Sequence, residues 1–136
     1  MNGNNGNWTG EGFENMLFDY LDNGYLENII TFFEHEPNEM RLIPKMLQDE
    51  RIRIRVGALA IIESLKEKYP DRLKDIVPLI LNILLKAKEK NIRGDAAYAL
   101  EIIADPSTKK ALEEALSQEE DEQVREFIQD AINKLS

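Results

Sequence analysis

The sequence predicts an all-α protein, a superhelix of about four antiparallel helix pairs, and three observations carry that prediction. One short phrase is written three times, as "IRVGALAIIESL" at 54–65, "IRGDAAYALEII" at 92–103 and "VREFIQDAINKL" at 124–135. From Phe13 onward apolar residues recur at i, i+3, i+4 and i+7, the spacing that gives a helix one apolar face. The breaks between these stretches are only a few residues long, and such short connections force successive helices to lie side by side.

Residues 1–12, "MNGNNGNWTGEG", hold four glycines and four asparagines. That composition reads as a flexible tail, with Trp8 expected to tuck against its own domain. Residues 13–136 read as a single domain. Phe13, Met16, Leu17, Tyr20 and Leu21 form the first stripe, and Asn23-Gly24 breaks it. Leu26, Ile29, Ile30 and Phe33 form the second, and Pro37 ends it, because proline lacks an amide donor and disfavours helix just before it. Further breaks fall near Asp49-Glu50, Tyr69-Pro70-Asp71, Glu89 to Asn91, Asp105-Pro106 and Gln118 to Asp121. Asp71 and Ser107 are positioned to cap the helices that follow them. "RIRIRV" at 51–56 alternates as a strand does. It runs straight into a helical face of Ile54, Ala58, Ile61, Ile62 and Leu65, so helix is expected there.

The repeated phrase aligns position by position. Ile54, Ile92 and Val124 open it, and Arg55, Arg93 and Arg125 follow. Then come Ala58, Ala96 and Ile128; Ile62, Leu100 and Ile132; and Leu65, Ile103 and Leu135. The copies are offset by 38 and 32 residues. A period of that size marks a solenoid, in which each helix pair buries its apolar face only against its neighbours. A first helix such as "DIVPLILNILL", with a second opening on Ile/Val-Arg and carrying Ala then Leu, resembles a HEAT repeat. Pro44 in "LIPKML" and Pro78 in "IVPLIL" occupy matching places in two first helices, as is familiar in HEAT units. The resemblance covers three units, 38–69, 71–104 and 106–136, with 13–36 as a divergent first pair or cap. It implies a right-handed superhelix. It also implies a ladder in which an acid in the turn pairs with the arginine opening the second helix. Asp49 stands six residues before Arg55 and Glu119 six before Arg125. Ala87 stands six before Arg93, so Arg93 is expected to borrow an acid from an adjacent turn, Asp49.

Charge and composition exclude several classes. Net charge is −9, and it is uneven: −8 over 1–50, +3 over 51–105 and −4 over 106–136. Such a chain repels a polyanion overall, which counts against nucleic acid as a partner. There is no cysteine, so no disulfide, thiolate catalyst or Cys-ligated zinc forms. Neither a signal peptide nor a membrane-length apolar run is visible, and a cytoplasmic location is expected. His35, in "FEHEP", is the only histidine. A metal site wants several ligands at geometric spacing. The HEAT-type deoxyhypusine hydroxylases hold iron with several His-Glu dipeptides, and this chain has one, His35-Glu36. No metal and no cofactor are therefore expected. A single histidine selects no Ser-His-Asp or Cys-His set. Gly57 and Gly94 sit inside helices, where they suit close packing rather than phosphate binding.

In HEAT arrays the second helices line the concave surface. The positions there that point away from the core include Glu63, Tyr98, Glu101, Glu126 and Asp130, an acidic stripe with a central tyrosine. Tyrosine is a favoured interface anchor, and the groove would suit a basic or amphipathic protein segment. Seven of the ten aromatics lie in residues 8–33. Phe18 and Phe32 fall outside the best stripes and are expected to be exposed, which would make the N-terminal end a cap, a dimer contact or a second docking site. The reading is a non-catalytic protein-binding adaptor, monomeric rather than oligomeric. One alternative is a lyase-like HEAT protein handling a chromophore or small molecule, as in the phycobilin lyase relatives. The other is nucleic-acid binding through Arg51, Arg53, Arg55, Lys86, Lys88, Lys90 and Arg93.

Overall fold

Eight α-helices follow one another in the computed structural model, which describes residues 10–135. They are α1 (Gly10–Asp22), α2 (Leu26–His35), α3 (Ile43–Met46), α4 (Ile52–Leu65), α5 (Pro70–Lys86), α6 (Lys90–Ile103), α7 (Lys109–Gln118) and α8 (Glu122–Lys134). Short 3-10 helices at Pro37–Leu42 and Pro106–Thr108 lead into α3 and α7. The alternating stretch at 51–56 is helical, because the residues after Ile54 commit it to one buried face.

The helices form two rows. α4, α6 and α8 pack successively as second helices, while α3, α5 and α7 form the first-helix row behind them. The repeated phrase supplies the seam between the rows. Ile54, Ala58, Ile62 and Leu65 are buried on α4, Ala96 and Leu100 on α6, and Val124, Ile128 and Ile132 on α8. Alanine at two of these positions lets helix axes approach closely, and the branched residues fill the space between turns. The first pair departs from the pattern: α1 packs on α4 and so prolongs the second-helix row, while α2 touches both α4 and the Pro37–Leu42 turn. Ion pairs from Glu14 to Lys45 and from Asp19 to Arg51 clip α1 in place. The Tyr69 hydroxyl donates to the Glu34 carbonyl at 2.7 Å and ties α2 to the next unit.

Several local expectations are corrected. Helix begins at Gly10, so Gly10 to Gly12 belong to α1 rather than to a tail; Trp8 lies outside the described residues. Asp71 sits inside the first turn of α5, where Pro70 opens the helix without a side-chain cap, because its missing amide would be unpaired there anyway. Before α7 it is Asp105, not Ser107, that caps: its carboxylate accepts from the Ser107 amide at 3.0 Å. Asp121 caps α8 in the same way through the Val124 amide. Phe18 is buried and Phe32 half-buried, packed against Phe13 and Phe33. The four phenylalanines of the first pair, Phe13, Phe18, Phe32 and Phe33, all pack into its core or against it.

The arginine ladder exists, with a different construction. Each opening arginine turns Nη1 onto the backbone carbonyl six residues earlier: Arg55 on Asp49, Arg93 on Ala87 and Arg125 on Glu119, all at 2.9 Å. A carbonyl is present whatever the side chain, so Ala87 costs the middle unit nothing. The carboxylates come from the unit that follows. Arg55 Nε donates to Asp95 at 2.8 Å, and Arg93 makes a two-point pair with Glu119 at 2.9 and 3.0 Å. Asp49, expected to serve Arg93, belongs to the preceding unit and instead accepts from the Arg51 amide and side chain.

Candidate functional site: a groove across the second helices

The first turns of α4, α6 and α8 line up along one face and enclose a groove of ≈ 460 Å³. Gly94 forms its floor; a Cβ there would meet only the edge of Phe127, at 3.4 Å. Ile52 and Val56 form one wall, 64% and 54% exposed, and Gln123 and Phe127 form the other. The Phe127 ring lies 6.3 Å from that of Tyr98, which is 40% exposed one helical turn beyond Gly94. The groove is therefore apolar along its middle. Its charges sit at the edges, and at the first-turn end they cancel. Arg55, buried, is matched by Asp95 at 2.8 Å, and Lys90 by Asp121 at 3.8 Å.

Of the residues expected to form the site, three come together. Tyr98 stands beside the Glu63–Lys66 ion pair of 2.6 Å. The Lys66 ammonium is held above its ordinary pKa by the Glu63 hydrogen bond first; desolvation opposes it, and the charges of Glu63 and Glu67 and the nearby Tyr98 add to the rise. Glu101, half-buried, lies one turn past Tyr98 on α6. Asp130 is exposed one turn past Phe127. Glu126 sits apart, in a polar depression of ≈ 410 Å³ at the α7–α8 end with Leu116, Arg125 and Gln129. The acidic stripe is thus confined to one end of an apolar strip. Ile52 and Phe127 were missed as lining residues. The signal for Ile52 was available: it is a branched apolar residue off the buried stripe of its own helix.

The cations between 51 and 93 are mostly engaged. Arg51 pairs with Asp19 and Asp49, Arg53 donates to the Asp22 carbonyl at 3.3 Å, and Arg93 pairs with Glu119. Lys86 and Lys88 make no ion pair among the described residues. His35 is exposed at the end of α2, its Nδ1 2.9 Å from the Thr31 carbonyl. The described residues contain no group of three or more potential metal ligands. No helix among them is long and apolar enough to cross a membrane. At the N-terminal end a second, apolar hollow of ≈ 420 Å³ lies between α1 and α2, lined by Phe13, Met16, Tyr20 and Phe32. The rings of Tyr20 and Tyr25 meet there at a tilt, centroids 4.9 Å apart, each about half exposed.

Comparison with known proteins agrees with this geometry. Residues 40–133 match the family model for HEAT repeats. Among curated proteins no match is found. Two solved structures of epoxyqueuosine reductase are similar. One, of the selenomethionine-labelled protein, is 28% identical with a TM-score of 0.52 over 62% of this chain. The other, with a tRNA-Tyr epoxyqueuosine-modified tRNA stem loop, is 29% identical with a TM-score of 0.51 over 61% of this chain. The likeness spans only 21% and 20% of those proteins' own lengths. With the family match covering well over half of its residues, and with paired helices stacked in two rows, this chain belongs to the HEAT-repeat family.

Proposed function

We propose that the chain is a non-catalytic binding module that holds a segment of another protein in the groove across α4, α6 and α8. The observation that carries this reading is the apolar strip of Ile52, Val56 and Tyr98, exposed around Gly94 on a face that the core does not use. Burying such side chains in a complex returns about 25 cal/mol per Å² of apolar surface, and arrays of helix pairs present extended surfaces suited to that. Tyr98 is the anchor in this reading. Glu63 and Glu101 select a segment that carries positive charge, as does Asp130 more weakly. Glu126 lies outside the groove and contributes only to the general negative field. A cysteine-free chain fits a cytoplasmic setting.

The test is affinity capture from source lysate at low salt, comparing the natural chain with Tyr98→Ala/Glu101→Lys. The reading expects proteins retained by the first and lost by the second. Equal recovery from both would contradict it.

One observation favours a second reading. The similar epoxyqueuosine reductase has been seen with a tRNA stem loop, so RNA contact through the 51–93 cations is the competing proposal. Against it stand the net charge of −9 and the engagement of Arg51, Arg55 and Arg93 with carboxylates. Phosphate contacts reveal themselves by salt dependence. The protein-binding reading expects no saturable, salt-dependent shift of a tRNA stem loop at micromolar protein.

A further inference from the structure

Resting on that reading of the groove, we propose its occupant: an amphipathic helix lying along α6, with a leucine-like side chain seated over Gly94 and a lysine or arginine two turns further on. Three features point to it.

The molecule itself shows what a second-helix glycine receives. At Gly57 on α4, a Cβ would stand 2.7 Å from the side chain of Leu21, which α1 lays directly on the glycine. Leu21 is buried there, and α1 is a helix running beside α4. Gly94 is the counterpart glycine on the next helix of the row, buried at the bottom of the groove. Among the described residues only Phe127, at 3.4 and 3.6 Å, comes within 4 Å of where its Cβ would stand. A leucine from a helix alongside therefore has a seat between Val56 and Phe127.

Charge along the groove is polarised. The first-turn end is neutral, with Arg55 and Lys90 matched by Asp95 and Asp121. At the Tyr98 end, Lys66 is paired with Glu63 and lies near Glu67, and Glu101 stands one turn past Tyr98 on α6. A complementary segment carries its cations at one end only.

The spacing then follows from helix geometry. Gly94 and Glu101 are seven residues apart on α6, about 10 Å at a rise of ~1.5 Å per residue. A partner helix running parallel to α6 matches both points with an apolar residue at i, a second at i+3 or i+4 over Tyr98, and a cation at i+7. Such anchors are how a helix reads a groove.

The probes are two labelled synthetic peptides of identical composition. One has leucines at i and i+4 and lysines at i+7 and i+8. The other has the same lysines moved to i+2 and i+9, away from the leucine face. Anisotropy titrations use the full chain, Gly94→Leu (which fills the seat) and Glu101→Lys, with circular dichroism melts to show that each variant folds. The proposal expects the first peptide to bind at least tenfold more tightly than the second at 0.15 M salt. It expects that advantage to vanish in both variants. Equal binding of the two peptides, lost in Gly94→Leu, would overturn the register proposed here and leave the groove as a binding site. Binding indifferent to Gly94→Leu would overturn the groove itself, and so would failure of both peptides to bind.

Discussion

Arg93 and Arg125 open equivalent helices, yet they stand in different surroundings. Both donate to the carbonyl six residues back. Arg93 alone holds a carboxylate, with side-chain exposure of 19% for itself and 7% for Glu119. Truncating it strands a shielded acid, and hydrogen bonds to charged groups are worth about 1.5–3 kcal/mol. Arg93→Ala should therefore lower unfolding free energy by roughly that amount, and Arg125→Ala by less than half as much; urea denaturation measures both. The glycines offer a second comparison. Gly57→Ala drives a methyl into the buried Leu21, and overpacking of that kind costs about 1–3 kcal/mol. Gly94→Ala meets ordinary contact with Phe127 and gains helix propensity of up to about 1 kcal/mol. Thermal melts should rank Gly94→Ala above the natural chain and Gly57→Ala below it. The arginines were legible in the sequence as a recurring letter. Their partners were not, because the acceptor common to all three is a backbone carbonyl, which no side-chain alignment displays.

At the scale of elements, the turns between helices carry the pH dependence. Burial alone would raise the pKa of Glu119. The Arg93 hydrogen bond, the Asp121 amide and the Arg93 charge outweigh it and, despite the nearby Asp121, hold the carboxyl below its ordinary 4.5. Asp49 is likewise held below its ordinary 3.8: burial opposes, and the hydrogen bonds from the Arg51 side chain and amide prevail. A group with a depressed folded-state pKa contributes stability that is complete above its unfolded value and is lost as pH falls through the folded one. Urea midpoints should therefore be flat above about pH 5 with respect to these two groups and fall below pH 4.5. Glu119→Gln should be less stable at neutral pH and flatter in acid. An unchanged acid slope in that variant would show that the α7–α8 turn is not titrating as described. Helix identity was legible here from apolar period, even at "RIRIRV". The caps were less so, because Asp71 and Asp105 present the same sequence signal before a helix. Only the first residue in the helix, Pro70 or Pro106, decides which of them lies outside.

For the whole molecule, the row α1–α4–α6–α8 matters more than any single unit. Its repeated letters predicted the stacking because burial between units demands the same apolar residues each time. The groove was legible only in part. Tyr98, Glu63 and Glu101 could be placed on one face from their spacing. Its apolar middle depends on Ile52 and Phe127 approaching across three helices, a relation between units that differ by six residues in length. Glu126 instead lines the α7–α8 depression with Leu116, Arg125 and Gln129, a placement its position in the repeated phrase does not display. The central claim is that this groove holds a partner segment. Its most direct test places a photo-crosslinking amino acid at position 98 in living source cells, with position 79 on α5 as the exposed control. The account predicts a discrete crosslinked polypeptide from position 98 that is absent from position 79 and lost when Glu101→Lys is added. Crosslinks identical at the two positions, or none at position 98, would contradict it.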